Sequence, residues 1–188
     1  MDEPWPASAL WDYAVDLYAR PGVREACLAL QDRAGTDVNL LLLACWLGAT
    51  GRRLDPATLA RLRTDALAWQ EAVVRPLRTA RRELKRRLAD LAPPLRPPLA
   101  AARARLAEVE LAVERAELLT LEAASGRSGA GAADPALAIN VLRQIATLDD
   151  PDRASVETLL AAAFPTLLSS HVAMLAQAAA EVSSPRSA

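Results

Sequence analysis

The stretch Val38–Ala49 reads VNLLLLACWLGA, and it decides the fold class of the chain. Beyond its first turn, it carries apolar side chains on every side when it is wound as a helix. A helix without a polar face belongs in the middle of a domain, because any exposed side would present apolar surface to water. We therefore predict a helical domain built around this stretch.

The composition of the whole chain also favours helices. Apolar residues make up 52% of the 188 residues and aromatic residues only 4%, so Ala and Leu, the residues with the highest helix propensity, supply much of the apolar content. A chain of this length suffices for one ordinary domain. We predict an all-α fold: a compact helical bundle with a long antiparallel α-hairpin and a loosely docked C-terminal helical segment.

Charge and hydropathy argue against several classes of protein. The 22 basic and 23 acidic residues leave a formal net charge of -1, so the protein as a whole has no electrostatic reason to seek nucleic acid or an anionic membrane. The N-terminal residues are acidic, and we expect no export signal. The longest apolar run, Leu40 to Gly48, is far shorter than the roughly 18 residues of a membrane span. We predict a cytoplasmic protein whose cysteines, Cys27 and Cys45, are thiols packed as small core residues.

Capping residues predict helices on both sides of the apolar stretch. Ser8 can cap a first helix that runs to about Ala19. Gly35 can end a second helix, and Asp37 can cap the apolar helix itself. Asp55, followed by proline, can cap a fourth helix that runs to about residue 74. The N-terminal part of the chain is thus predicted to be a bundle of four helices.

Two apolar stripes with steps of three and four residues predict an antiparallel helical hairpin at 77–124. The proline-rich turn Ala92–Pro98 separates its two arms, and we predict a break or bend just before it begins, at Pro76. Together with the bundle, the hairpin forms a domain at 1–124. A Gly/Ser-rich linker follows at 125–133. The C-terminal segment, 134–188, is Ala-rich and weakly patterned, with helices at about 136–147, 154–163 and 166–182.

The densest sequence signal lies between Trp11 and Leu47. Its core words are Leu30-Gln31-Asp32 and the run from Asp37 to Leu42, Asp-Val-Asn-Leu-Leu-Leu. This run resembles the N-terminal signature of a family of small proteobacterial proteins of unknown function. The resemblance covers roughly the first third to half of the chain and leaves the proline-rich turn outside. It implies no activity, cofactor or catalytic residue.

A polar cluster surrounds the turn between the second helix and the apolar helix, and it consists of Gln31, Asp32, Asp37 and Asn39. If the two helices pack antiparallel about Gly35, these side chains gather at one end of the domain, with Trp11 or Trp46 as an apolar wall. A helix N-terminus there would favour an anion or a hydrogen-bonding ligand. The alternative is purely structural, with Asp37 as a cap and the other side chains tying down the loop.

A basic patch is the strongest charge feature of the sequence. It comprises Arg75, Arg78, Arg81, Arg82, Lys85 and Arg86, with Arg87 next to them. On a helix this patch could bind RNA or ribosomal phosphate, or the acidic face of a protein. The facing segment, 106–122, is rich in glutamate, so the two arms of the hairpin can instead neutralise each other.

Common catalytic motifs are absent from the sequence. His171 is the only histidine, and there is no nucleophile elbow, no glycine-rich phosphate loop and no Cys-x-x-Cys spacing. We therefore predict no catalytic residue, no metal site and no cofactor. The predicted function is a non-enzymatic protein–protein interaction module whose partner is another protein or a second copy of the chain. The alternatives are RNA binding through the basic patch, and a small-molecule site or an unrecognised enzyme at the polar cluster.

Overall fold

The computed structural model describes residues 5–126, 131–146 and 148–181, and within these ranges the chain is helical and contains no strand. This confirms the all-α class. Some predictions lie outside the described residues, namely those for the acidic N-terminus, for the middle of the linker and for the last residue of two C-terminal helices. The α-helices are α1 (Ala9–Tyr18), α2 (Val23–Ala34), α3 (Val38–Ala49), α4 (Pro56–Trp69), α5 (Arg75–Asp90), α6 (Arg96–Ala124), α7 (Pro135–Ile145), α8 (Arg153–Ala163) and α9 (Ser169–Glu181).

Side-chain caps begin the helices at the predicted positions. The Ser8 hydroxyl accepts a hydrogen bond from the Trp11 amide at 3.0 Å. The Asp55 carboxylate accepts one from the Thr58 amide at 2.9 Å. Gly35 ends α2 with a φ of +63°, a conformation that costs little only for glycine. These local signals explain why the predicted bounds of α1 to α3 and the predicted start of α4 agree with the structure, whereas α4 ends at Trp69 and not near residue 74.

Helix α3 forms the dry centre of the protein. Every residue from Asn39 to Gly48 is buried, and α1, α2, α6, α7 and α8 pack around it. The crossing with α7 is especially close at Gly48, where an added Cβ would lie 2.9 Å from the Cβ of Ala138 and 2.8 Å from Cζ of Phe164. The apolar stretch therefore occupies the position that its lack of a polar face predicts.

The C-terminal helices belong to the same hydrophobic core as α3. Leu142 of α7 and Leu159 and Leu160 of α8 are fully buried in it, and Ala176 of α9 is buried as well. Their packing is closer than their weak sequence pattern indicated. Short Ala-rich helices show little contrast between faces, since alanine adds small apolar side chains on all sides. The pattern therefore understated how much surface these helices bury.

A tight backbone contact lies where the chain enters this C-terminal part. The Gly131 amide donates to the Thr50 carbonyl oxygen at 2.8 Å. Gly51 has a φ of +61°, and a Cβ added there would lie 2.3 Å from the carbonyl oxygen of Ala132. Only glycine fits at position 51.

The chain does not break at Pro76, the point where we predicted a break or bend: a π-helical segment, Gln70–Val74, joins α4 directly to α5. Proline lacks an amide hydrogen and clashes with the carbonyl four residues before it. A π segment directly before the proline widens the preceding turn, which relieves this clash without ending the helix. The chain therefore continues as a helix through this point, with Gln70 and Val74 buried.

Helices α5 and α6 form the predicted hairpin, joined through a 3₁₀ turn at Pro93–Leu95. The C-terminal half of α6 packs on α1, α3 and α4 and buries Leu118 and Leu121. In contrast, no residue of 91–109 is buried, so the turn end of the hairpin projects from the bundle. Among the described helices, none is long and apolar enough to cross a membrane.

Candidate binding site at the turn between α2 and α3

A buried glutamate of α6, Glu117, lies at the centre of the polar cluster. Its side chain is 2% exposed. Its Oε2 accepts a hydrogen bond from Asn39 Nδ2 at 2.7 Å and another from Gln70 Nε2 at 3.0 Å. Asn39 also donates to the Glu114 carbonyl oxygen at 3.3 Å. These bonds tie the first turn of α3 to α6 and to the π segment.

The carboxyl groups of Asp37 and Glu117 are close enough for each to change the pKa of the other. Within the described part of the chain, Asp37 Oδ2 and Glu117 Oε1 are both buried, and no donor group bonds to either of them. Two facing carboxylate oxygens can bond only through a shared proton. Burial raises the pKa of Glu117, and the negative charge of Asp37 raises it further. We therefore assign a protonated Glu117 that donates to Asp37.

Asp37 has a second role as the cap of α3. Its Oδ1 accepts a hydrogen bond from the Asn39 amide at 2.7 Å. Burial is the main cause that raises the pKa of Asp37, and the hydrogen bonds from Glu117 and from the backbone oppose this effect. Glu117 is closed off from solvent in this arrangement, whereas Asp37 lines both of the cavities described below.

Arg78 of α5 connects three elements of the site. Its Nη1 donates to Gln31 Oε1 at 2.8 Å, and its Nη2 donates to Glu114 Oε1 at 2.5 Å. Its Nε lies 3.3 Å from Glu110 Oε1, and Arg81 also binds Glu110 through two nitrogens. Burial acts to raise the pKa of Glu110, but the bonds and charges of the two arginines outweigh it and hold the pKa below its usual value.

Two of the six residues of the basic patch, Arg78 and Arg81, are neutralised across the hairpin. Arg78 and Arg81 pair with glutamates of α6. In contrast, Arg75 pairs with Glu71 and Arg86 pairs with Glu83, each three or four residues away in the sequence. Among the described residues, neither Arg82 nor Lys85 has an ion-pair partner. The arms of the hairpin thus neutralise each other at Glu110 and Glu114, as the sequence pattern allowed.

Two cavities adjoin the contact between Arg78 and Gln31, since both of these residues line each of them. The first, the turn cavity, has a volume of about 430 Å³, is partly open to solvent and is lined by the α2–α3 turn, α4, α5 and the end of α7. The second, the α1–α6 groove, has a volume of about 600 Å³ and lies between α1, α2, α3, α5 and α6. The residues that line both are Gln31, Asp37, Gln70, Arg78 and Arg82.

The structure brings most of the predicted site residues together. Asp32 lines the turn cavity, while Asn39 and Trp11 line the α1–α6 groove. The ring of Trp11 also stacks against the guanidinium of Arg115, 4.8 Å away. Trp46 lies elsewhere, buried in the last turns of α3, with the guanidinium of Arg52 4.6 Å from its ring.

Sequence reasoning missed the central role of Glu117. Glu110, Glu114 and Glu117 are spaced by four and three residues, which places them along one face of α6. Leu121 continues the same face into the core. The position of Glu117 on the same face as a buried leucine was a signal that its carboxyl group is buried. The excess of glutamates in this segment pointed only to pairing along the hairpin.

The comparisons with known proteins give a family match. The model of a family described as "Protein of unknown function (DUF2390)" matches residues 9–121. The match continues through the proline-rich turn of the hairpin, so the prediction that the resemblance ends before it was wrong. No curated protein and no solved structure matches the chain. The matched residues include the whole Glu117 and Arg78 network. They also make up more than half of the 188 residues, so the chain belongs to this family of proteins of unknown function.

Proposed function

We propose that this protein is a non-enzymatic interaction module that binds another protein through the α1–α6 groove. The observation that carries the proposal is a set of apolar side chains that line the groove and remain open to solvent. Val15 is 50% exposed, Leu28 38% and Leu111 56%. Exposed apolar side chains that gather in one groove are typical of protein-binding surfaces.

The shape and charge of the groove favour an amphipathic helix as its occupant. An apolar groove between helices receives such a segment through side chains three, four and seven residues apart. Arg78 and Arg81 at its floor are already paired with glutamates. Arg24 and Arg82 also line it, and neither has an ion-pair partner among the described residues. The uncompensated charge is therefore positive, which favours a partner helix with acidic residues beside its apolar face.

The polar cluster supports a structural role rather than catalysis. Asn39 and Gln70 use their amide groups on Glu117, and Gln31 accepts from Arg78. Burial and the neighbouring Asp37 raise the pKa of Glu117, which favours its protonated form. Side chains that are engaged with each other in this way hold α3, α5 and α6 in position.

A selection of helical peptides tests the proposal. A displayed library of peptides of about four helical turns, long enough to span the groove, is selected on the intact protein, and binding is measured by fluorescence anisotropy. We expect the selected peptides to carry apolar anchors at helical spacing and an excess of Asp and Glu. Leu111→Glu places a charge in the groove and should weaken binding at least tenfold.

Leu95→Glu is the matched control. Leu95 and Leu111 are both 56% exposed, but Leu95 lies at the hairpin turn, away from the groove. Peptides that bind the Leu111→Glu protein as well as the wild type would refute the groove as the binding surface. Light scattering measures whether the protein is a dimer. A wild-type dimer that becomes a monomer in Leu111→Glu would show that a second copy of the chain occupies the groove, and would refute the proposal that a different protein does.

A further inference from the structure

The turn cavity differs from the groove in its chemistry. Four arginines line it: Arg63 from α4, and Arg75, Arg78 and Arg82 from α5. The three arginines of α5 are spaced by three and four residues, so they share one face of the helix. The acidic residues on the wall are Asp32 and Asp37, and the carboxyl group of Asp37 is engaged with Glu117 and with the cap of α3.

Much of this positive charge is available to a ligand. In the part of the chain that the structure describes, Arg82 has no ion-pair partner. Arg75 pairs with Glu71 in solvent, where both side chains are more than half exposed, and such pairs stabilise little. The nitrogen Nη1 of Arg63 donates to the Gln144 carbonyl oxygen at 3.0 Å, which leaves its charge uncompensated. The cavity therefore attracts anions.

Thr36, a residue of the cavity wall, carries a buried hydroxyl without a partner in the described part of the chain. Thr36 lines the cavity and is 3% exposed. Its hydroxyl has no hydrogen-bond partner among the described residues. A buried hydroxyl without a partner is unfavourable, so a ligand oxygen that bonds to it would gain affinity. Thr36 also lies just ahead of α3, whose N-terminus carries partial positive charge.

We propose that the turn cavity binds a small phosphorylated molecule. Guanidinium groups match the geometry of phosphate oxygens and bind them through paired hydrogen bonds. Arg82 and Arg75 hold the phosphate oxygens from α5, and the Thr36 hydroxyl bonds to one oxygen from the opposite side. The cavity volume of about 430 Å³ admits a small metabolite and excludes a folded chain.

Calorimetric titration of the intact protein with inorganic pyrophosphate tests this site. We expect one binding event per chain. Arg82→Ala removes a guanidinium that no ion pair ties down, and it should weaken binding tenfold or more. Thr36→Val removes only the hydroxyl and should weaken binding several-fold. Thermal unfolding without ligand checks that both variants remain folded.

Lys85→Ala is the matched control, because Lys85 lies three residues from Arg82 on α5 but does not line the cavity. Lys85 is exposed, and it has no ion-pair partner among the described residues. Its affinity for pyrophosphate should match that of the wild type. No binding by the wild type, or an equal loss in Lys85→Ala, would overturn the proposal. Citrate that binds as tightly as pyrophosphate would indicate general attraction of anions. Single-stranded RNA is tested as a competitor of pyrophosphate. If RNA competes, and if both Arg82→Ala and Lys85→Ala weaken RNA binding, the site is a nucleic-acid surface and the proposal is overturned.

Discussion

Replacement of Glu117 by glutamine tests the assignment of the shared proton. A protonated glutamate and a glutamine present the same groups here. The carbonyl oxygen accepts from Asn39 and Gln70, and the amide NH₂ of glutamine takes the place of the carboxyl O–H that donates to Asp37. Glu117→Gln therefore keeps the whole network and removes only the ability to titrate.

The magnitude follows from proton linkage. The pKa of Glu117 is raised in the folded protein, chiefly by burial and then by Asp37, so the native state keeps a proton that the unfolded chain releases above about pH 4.3. The contribution of Glu117 to stability is fully present below that pH and falls as the pH rises towards the raised pKa. Each pH unit in this interval lowers the free energy of unfolding by about 1.4 kcal/mol. The glutamine variant escapes this loss.

Urea unfolding of both proteins across pH measures the difference. From about pH 5.5 to about pH 7.5, the stability of Glu117→Gln relative to the wild type should increase by about 2.7 kcal/mol. Glu108→Gln is the control, because Glu108 is an exposed glutamate of the same helix, and its effect should be small at every pH. A difference between Glu117→Gln and the wild type that does not change with pH would refute the shared proton.

Three further predictions concern the backbone, the hairpin and the thiols. Gly51→Ala should lower the free energy of unfolding by more than about 3 kcal/mol in the urea assay, because its Cβ would clash with backbone atoms. Gly35 has a similar φ but open space around it, so Gly35→Ala should lower the free energy of unfolding by only about 1 to 2 kcal/mol. Arg78→Met leaves the half-buried Glu114 without its ion-pair partner, while Glu110 keeps Arg81, and should cost about 2 kcal/mol in thermal and urea unfolding. Arg86→Met removes a solvent-exposed pair and should change stability by less than about 0.5 kcal/mol. Both cysteine thiols are buried, and burial raises their pKa values, so a thiol-reactive dye at about pH 8 should label them only after urea unfolds the chain.

The elements that local signals specify could be predicted from the sequence. Ser8 and Asp55 cap helices through atoms two or three residues away, so the relevant partners are adjacent in the sequence. The position of α3 in the centre follows from its lack of a polar face. The π segment before Pro76 could not be predicted, because a proline in a helical pattern is equally compatible with a break, a kink or a wider turn.

The candidate site was predicted only in part, because it depends on contacts between residues distant in the sequence. Gln31, Asp37 and Asn39 were identifiable as polar residues beside a turn. Their partners come from α5, α6 and the π segment, and a single sequence does not state which glutamate meets which arginine. Glu117 is the clearest case, since its burial depends on how α6 rotates against α3.

That rotation needs a specific cause, because α3 is apolar on every side after its first turn. A helix with one apolar stripe has a preferred orientation, but a uniformly apolar helix packs with similar energy at many rotations. The first turn of α3 provides the missing specificity through Asn39 and its cap Asp37. These two side chains meet the carboxyl group of Glu117 in only one register of α6 against α3. A single buried polar contact fixes register in other helical assemblies in the same way, at some cost in stability. The raised pKa of Glu117 reflects that cost. The contact with Glu117 also fixes the position of α6, and thereby the walls of the turn cavity and of the groove.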